Sequence, residues 1–382
     1  MNHAALRAFD ATRNFENKAV RSLCYAPFTN LFFDQQGNAC VCCWNKRVPV
    51  GNVLRDSMDE IWRGPKIQQL REALRRDDLS KGCNFCSLQI KDGVFAGSSI
   101  LQFEKFDVPG SDPDWPQRME FSISNSCNLE CVMCSGDFSS AIRARREKRE
   151  AMPRIYSDEI LESMRAYLPH LKKAKFLGGE PFLVTEYFRL WDMMVEDDCQ
   201  IECHVTTNGT QYSKRIERLL DRIPMSFNVS IDGATKQTYE NIRIGANFDE
   251  VLENAGRLRE YARERNTWFG FSYCLMRQNW RELGDFCALA DAWDVECFIN
   301  TVHYPAEHGI YSLPPSGLRE VLDGMEKQAS TLDARLGRNK AVWFAEFDRI
   351  RAHVRAYADN GASARINTVI DQSAGFLNAN VF

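Results

Sequence analysis

Nine of the fourteen cysteines fall in two clusters, and their spacing is the feature of this 382-residue sequence that could do chemistry. Cys127, Cys131 and Cys134 share one eight-residue stretch, Cys127-Asn-Leu-Glu-Cys131-Val-Met-Cys134. Three thiolates so close can wrap one metal cluster without help from distant chain. A four-iron cube closed by protein takes four cysteines. Three leave one iron open to another ligand, the distinction that separates catalytic from structural metal sites. The second cluster, Cys24, Cys40, Cys42, Cys43, Cys83 and Cys86, ends in a C-x2-C pair. A four-cysteine set of that kind suits an iron–sulfur cube or a structural zinc ribbon, and spacing alone does not separate them. Cys199, Cys203, Cys274, Cys287 and Cys297 are scattered through strand-like and helix-like segments, where free cysteine is commonly a small buried hydrophobe.

The elements that must position these residues alternate from Met119 onward. Strands are expected over 119–124, 174–177, 200–206, 225–231, 268–275 and 295–302, each short and most rich in β-branched or aromatic residues. Helices are expected between them, over 141–148, 158–167, 187–196, 213–221, 248–263 and 280–292. Six strands separated by helices predict an α/β fold: a partial (β/α)6 barrel with a parallel sheet and its site at the strand C-terminal ends. Before this core the zones are a leader (1–20), a cysteine-rich module of hairpin and helix (21–95) and a Pro- and Asp-rich linker (96–117). The core runs over 118–304, and a helical extension follows over 305–382. In the module, Asp34-Gln-Gln-Gly37 reads as a turn. Residues 57–75 read as an amphipathic helix that Gly64-Pro65 breaks or kinks.

Composition sets limits on partners. The net charge of −4 argues against a nucleic-acid backbone as the main partner. The run Arg143-Ala-Arg-Arg-Glu-Lys-Arg149 is basic and reads as a solvated helix face. Residues 1–17 have no apolar signal segment, and no stretch is apolar enough to span a bilayer, so a cytoplasmic protein without a membrane partner is expected.

The C-x3-C-x2-C spacing at the end of a first strand resembles the signature of the radical S-adenosylmethionine (SAM) superfamily, with Met133 where the family usually has an aromatic. Further motifs follow in the family's order. Gly178-Gly-Glu-Pro181 looks like its GGEP motif. Thr206-Thr-Asn-Gly-Thr210 and Ser230-Ile-Asp-Gly-Ala234 end the third and fourth strands. Tyr239-Glu-Asn-Ile-Arg243 precedes a helix, and Leu275-Met-Arg-Gln-Asn279 ends the fifth strand. The resemblance implies a [4Fe–4S] cluster on Cys127, Cys131 and Cys134 whose open iron chelates SAM. One electron then cleaves SAM, and the 5′-deoxyadenosyl radical takes a hydrogen atom from the substrate. It implies a SAM site of Gly178, Gly179, Glu180, Asn208, Ser230, Asp232 and Arg243, with the glycines allowing close backbone approach and Glu180 holding the SAM ammonium. Turn chemistry is the plain alternative for Asn208 and Asp232, and a surface salt bridge for Arg243.

The N-terminal zone resembles the SPASM/twitch auxiliary-cluster module: Cys24, then Gly37-x4-Cys42, then Gly51-Asn…Glu60-Ile-Trp62, then Cys83-Asn-Phe-Cys86. That resemblance implies one fully ligated auxiliary [4Fe–4S] cluster on Cys24, Cys42, Cys83 and Cys86, with Cys43 or Cys40 as the replacement for Cys42. Here the module precedes the SAM core, whereas the best-known members carry it after.

Two outcomes follow for the reaction. Electron transfer from a substrate radical to the auxiliary cluster gives net oxidation or crosslinking. Hydrogen return from a protein thiol gives epimerisation, and Cys274 is the candidate donor, with core packing its plain alternative. His303, Tyr304 and Glu307 follow the sixth strand and could line the substrate site. The expected substrate is a small polar molecule, a sugar or a peptide, and the expected electron source is an external one-electron reductant such as flavodoxin or ferredoxin. The rival functions are a non-catalytic iron–sulfur electron-transfer protein and a zinc-ribbon interaction protein.

Overall fold

The computed structural model describes residues 3–91, 93, 95, 97–302 and 304–360. Among the described residues nine strands form: β1 Asn30–Phe33, β2 Asn38–Cys40, β3 Gly51–Asn52, β4 Arg118–Phe121, β5 Lys173–Phe176, β6 Glu202–Thr207, β7 Met225–Ser230, β8 Phe269–Leu275 and β9 Glu296–Thr301. Each of the six core strands expected from sequence is present, with ends moved by at most three residues. The expected helix at 141–148 is instead a short π-type turn, Ile142–Arg146, while the other five expected core helices form. A helix at Lys236–Ile242, capped by Thr235, was not foreseen.

The chain folds into two compact units. The first comprises Met1–Ser124, Pro153–Gly178 and Val184–His204; the second comprises Asn125–Met152, Gly179–Leu183 and Val205–Phe382, so the division falls within β6.

In the first unit, β1 pairs antiparallel with β2 and parallel with β4, and β4 pairs parallel with β5. The cysteine-rich zone thus shares its sheet with the first core strands, and no break in hydrogen bonding marks the change in composition. Asp34 closes the β1–β2 turn by accepting from the amides of Gln36 and Asn38, and Gly37 adopts φ +78° there. The amphipathic segment splits into helices Met58–Arg63 and Pro65–Arg75. Ser57 and Glu60 form a capping box on the first, and Pro65 opens the second. One face of this sheet is apolar. Phe33, Phe121 and Phe176 stack in a row, and Phe176 meets Trp191 of the helix Thr185–Glu196 at 5.0 Å between ring centroids.

In the second unit, β7, β8 and β9 pair in parallel. Their sequences alternate. Phe227, Val229, Phe271 and Tyr273 are apolar or aromatic, whereas Asn228, Ser230, Ser272 and Asn300 are polar and yet buried. Helices Phe248–Arg265 and Leu283–Ala292 accompany these strands, and helices Pro315–Arg335 and Lys340–Asn360 follow. The expected helical extension is helical through 360, and residues 361–382 lie outside the described residues. The whole is an α/β fold with a mostly parallel sheet, a cysteine-rich hairpin-and-helix module and helices toward the C-terminus. Among the described residues no helix is long and apolar enough to cross a membrane.

Candidate active site and auxiliary cysteine cavity

The loop after β4 brings Cys127, Cys131 and Cys134 together on one apolar floor made by Leu129, Met133, Ile242, Cys274, Met276 and Val302. A tight turn, with the Cys134 amide donating to the Cys131 carbonyl at 3.0 Å, holds the last two on the same side. The basic run is largely solvent-exposed, as expected, though on a short π-type turn, and one of its members also braces the cysteine loop. Arg146 donates to the carbonyls of Glu130 and Cys134, the latter at 3.0 Å, and so braces the loop from outside. Burial pushes all three thiols up, Cys131 to about 12. Without a metal they stay protonated at neutral pH, since it is coordination that deprotonates a thiol outright.

Gly178 and Gly179 both adopt positive φ, +80° and +56°. A side chain at Gly179 would sit 2.3 Å from the Ser126 carbonyl oxygen, one residue before Cys127, so only glycine lets these two stretches pack. Glu180 follows, fully buried, its amide donating to that same Ser126 carbonyl at 2.7 Å. Its carboxylate accepts from the Thr207 hydroxyl (2.8 Å), the Asn208 amide (2.7 Å) and the Phe182 amide (3.2 Å). Three of about four acceptor positions are therefore used within the protein. Burial raises Glu180 to about 7, against the pull of those donors and of Arg243. Asn208 reaches the cysteine loop directly, its Nδ2 lying 3.8 Å from Cys127 Sγ and 3.1 Å from Asn128 Oδ1.

Asp232 and Arg243 form a buried ion pair at 2.7 Å, with side-chain exposures of 0% and 6%. The surface salt bridge considered for Arg243 is thus an interior one. Burial lowers the guanidinium, but Asp232 more than offsets it, and its pKa rises. Asp232 also accepts from the Cys274 amide at 2.6 Å. Asn279, absent from the site residues read from sequence, ties the ends of β7 and β8 by donating to the carbonyls of Asp232 and Cys274. The signal for it was in the Leu275–Asn279 motif, whose terminal amide is fully buried. Ser230 lies beside Ser272, with the two hydroxyl oxygens 3.4 Å apart. Cys274 is packed into the floor beneath the cysteine loop, 3% exposed. Tyr304 is half exposed, and His303 lies outside the described residues.

The second cysteine group is assembled within the first unit. Cys24, Cys42, Cys83 and Cys86 line one cavity whose other walls include Val41, Leu74, Leu79, Ile100 and Phe103. Trp44 stacks on Phe85, inside the C-x2-C pair, with centroids 3.7 Å apart. Two donors face the sulfurs: the Ala26 amide on Cys24 (3.4 Å) and Asn45 Nδ2 on Cys83 (3.3 Å). Burial raises Cys24 to about 12 and Cys42 and Cys86 well above the ordinary thiol value. Cys40 and Cys43 are absent from this cavity lining. Cys43, raised to about 12 by burial and then by Glu120, sits instead among Glu120, Lys46, Lys175 and Arg118.

Among the described residues no group of three or more His, Cys, Asp or Glu side chains is arranged to hold a single metal ion. A four-iron cube takes its thiolates at separate corners. The donor chemistry fits one at each place: four thiols in a largely apolar cavity, and three thiols beside polar strand ends.

Family models match the stretches of chain in which these two places lie. The model of the radical SAM superfamily matches residues 121–290, so the chain carries a radical SAM core. The SPASM iron–sulfur cluster-binding domain matches residues 24–87, so an auxiliary iron–sulfur module precedes the core. A [4Fe–4S] cluster, SAM and an auxiliary cluster are the cofactors of such a protein. Among curated relatives, the probable GTP 3′,8-cyclase of Methanococcus maripaludis is 29% identical over 136 residues, 35% of this chain and 43% of the relative. The GTP 3′,8-cyclase of Limosilactobacillus fermentum is 28% identical over 142 residues, 35% of this chain and 39% of the relative. The chain thus spans less than half the length of these relatives. Among solved structures, anSMEcpe with bound AdoMet is 18% identical with a TM-score of 0.40, covering 56% of this chain and 60% of that one. Streptococcus suis SuiB bound to precursor peptide SuiA is 16% identical with a TM-score of 0.39, covering 74% and 54%.

Proposed function

We propose that the chain is a radical SAM enzyme in which Cys127, Cys131 and Cys134 ligate the SAM-cleaving cluster and Cys24, Cys42, Cys83 and Cys86 ligate the auxiliary one. The observation that carries this reading is the contrast in donor number, three thiols in the loop after β4 and four in the N-terminal cavity. When bound, the open-iron cluster and SAM supply reductive cleavage of SAM and a hydrogen-abstracting radical.

The chain's own residues hold the geometry. Gly178 and Gly179 bring backbone against the cysteine loop and present peptide groups to the SAM methionyl end. Glu180 anchors that turn to the end of β6 and keeps one acceptor position for the ammonium. Asn208 orients the Cys127 side of the loop and offers its amide to the ribose, with Ser230 beside it. Arg243, held in place by Asp232, would offer its guanidinium donors to the SAM carboxylate. The apolar floor, including Cys274, excludes water from the reacting side.

The enzyme draws its electron from a one-electron donor of the flavodoxin or ferredoxin kind and acts on a small polar molecule, a sugar or a peptide. The net result is oxidation or crosslinking through the auxiliary cluster, or epimerisation. Cys274, buried under the loop, fits the floor better than the role of hydrogen donor. Tyr304, His303 and Glu307 remain proposed for the substrate side. The curated relatives offer a nucleotide as a further substrate, within the same class of polar molecules. Anaerobic protein given SAM and dithionite should yield 5′-deoxyadenosine. Iron-loaded protein that leaves SAM intact is the outcome expected of the electron-carrier alternative, and zinc-loaded colourless protein that of the zinc ribbon.

A further inference from the structure

The faces of β4 and β5 opposite the phenylalanine row carry Arg118, Glu120 and Lys175, all under 10% exposed. Buried faces of parallel strands are ordinarily apolar, so three charges here need partners. Most find them. Glu120 accepts from Asn30 Nδ2 at 2.9 Å and pairs with Arg118 Nη2 at 2.9 Å, and Arg118 Nη1 donates to Gln102 at 3.0 Å. Lys173, one step along β5, is neutralised by Glu202 at 2.6 Å. Lys175 is left over. It is the direct parallel neighbour of Glu120 in the sheet, yet among the described residues its ammonium has no hydrogen bond and no carboxylate within ion-pair distance.

Two more polar atoms nearby lack partners among the described residues: Arg118 Nε and Asn30 Oδ1, both fully buried. Asn30 and Arg118 are themselves register neighbours on β1 and β4. The Lys175 ammonium, not itself a fully buried atom, thus shares its sheet face with one buried unmatched donor and one buried unmatched acceptor, and the Cys43 thiol stands against that face. An unsatisfied buried polar group calls for an explanation, and a missing ligand is one.

We propose that Lys175 and Arg118 form an anion subsite for the substrate, taking its carboxylate or phosphate, while Asn30 Oδ1 accepts from a neighbouring hydroxyl or amino group. This rests on the reading that the chain acts on a polar substrate, and narrows that substrate to an anionic one. Charge-assisted hydrogen bonds to such a group would satisfy Lys175 and Arg118 together. The hairpin that presents Cys42 to the cavity of four thiols presents Cys43 to this face, so the bound group would lie alongside the auxiliary module.

The test is calorimetric binding of inorganic phosphate and, separately, of acetate to the reconstituted full chain, at constant ionic strength against chloride. The proposal expects at least one to bind saturably. Phosphate alone would indicate a phosphorylated substrate, and acetate alone a carboxylated one. Lys175→Gln should weaken binding about tenfold or more, and Lys175→Arg should restore most of it. Equal binding by Lys175→Gln, or no saturable binding of either anion to the native chain, overturns the proposal. Because binding to the native chain is itself decisive, a variant that failed to fold would not leave the question open. Formation of 5′-deoxyadenosine by the native protein tests the parent reading independently: its absence beside intact anion binding would remove the radical chemistry and leave the subsite standing.

Discussion

Cys127, Cys131 and Cys134 come from one loop of eight residues, whereas Cys24, Cys42, Cys83 and Cys86 are gathered from segments spread over residues 24–86. The first group lies on an apolar floor beside polar strand ends, with a buried ion pair and a buried carboxylate close by. The second lines a cavity of aliphatic and aromatic side chains, with two weak donors to its sulfurs. A site that must accept a polar ligand at an open iron needs oriented donors and charges around it. A site whose irons are all closed by protein needs only enclosure. The difference in surroundings runs parallel to the difference in thiol count.

That comparison breaks most sharply by mutation of the loop. Replacing Cys127, Cys131 and Cys134 together with alanine should abolish 5′-deoxyadenosine formation while leaving about four of roughly eight irons bound. Iron analysis and chromatography of the SAM products read both numbers. Replacing Cys83 and Cys86 should do the complementary thing, removing about half the iron while SAM cleavage persists. Cys42→Ser should lose that same iron and Cys43→Ser should keep it; the reverse would move the fourth ligand to the neighbouring residue.

Smaller effects sharpen the electrostatic half of the contrast. Arg243→Ala leaves Asp232 charged and alone in the interior, which should cost about 3–5 kcal/mol and lower the anaerobic unfolding midpoint accordingly. On the face beyond Cys43, burial first, then Arg118 and Lys173, pull Lys175 from 10.5 down to about 8, with Glu120 opposing. Between those values the folded chain has shed a proton that the unfolded chain keeps, so the native protein gains stability as pH rises from about 8 toward 10.5. In anion-free buffer Lys175→Met should be the more stable protein at pH 7, by up to about 3 kcal/mol, and the advantage should disappear near pH 10.5. Unfolding curves across that range measure it.

The strands were legible because their β-branched and aromatic runs are bounded by turn residues. The cysteine loop was legible because its ligands are close in sequence. The split at Gly64-Pro65 could be read as well, since Pro65 removes a donor and opens a new helix. What could not be read is side-chain partnership across the sheet. Asp232, at a strand end, and Arg243, ahead of a helix, were each separately visible, but nothing in spacing says that they pair with each other. Asn279 and Arg146 work on backbone carbonyls of residues distant in sequence, which carry no sequence signal of their own. The surplus charge of Lys175 appears only once register sets it beside a Glu120 already committed to Arg118.

The most direct test of the open iron is electron paramagnetic resonance of the reduced Cys83→Ala, Cys86→Ala variant, recorded before and after SAM is added. The account predicts a single reduced [4Fe–4S] signal whose g-values shift when SAM binds. A signal that SAM leaves unchanged would mean that a fourth protein ligand closes the cube, and would contradict the account.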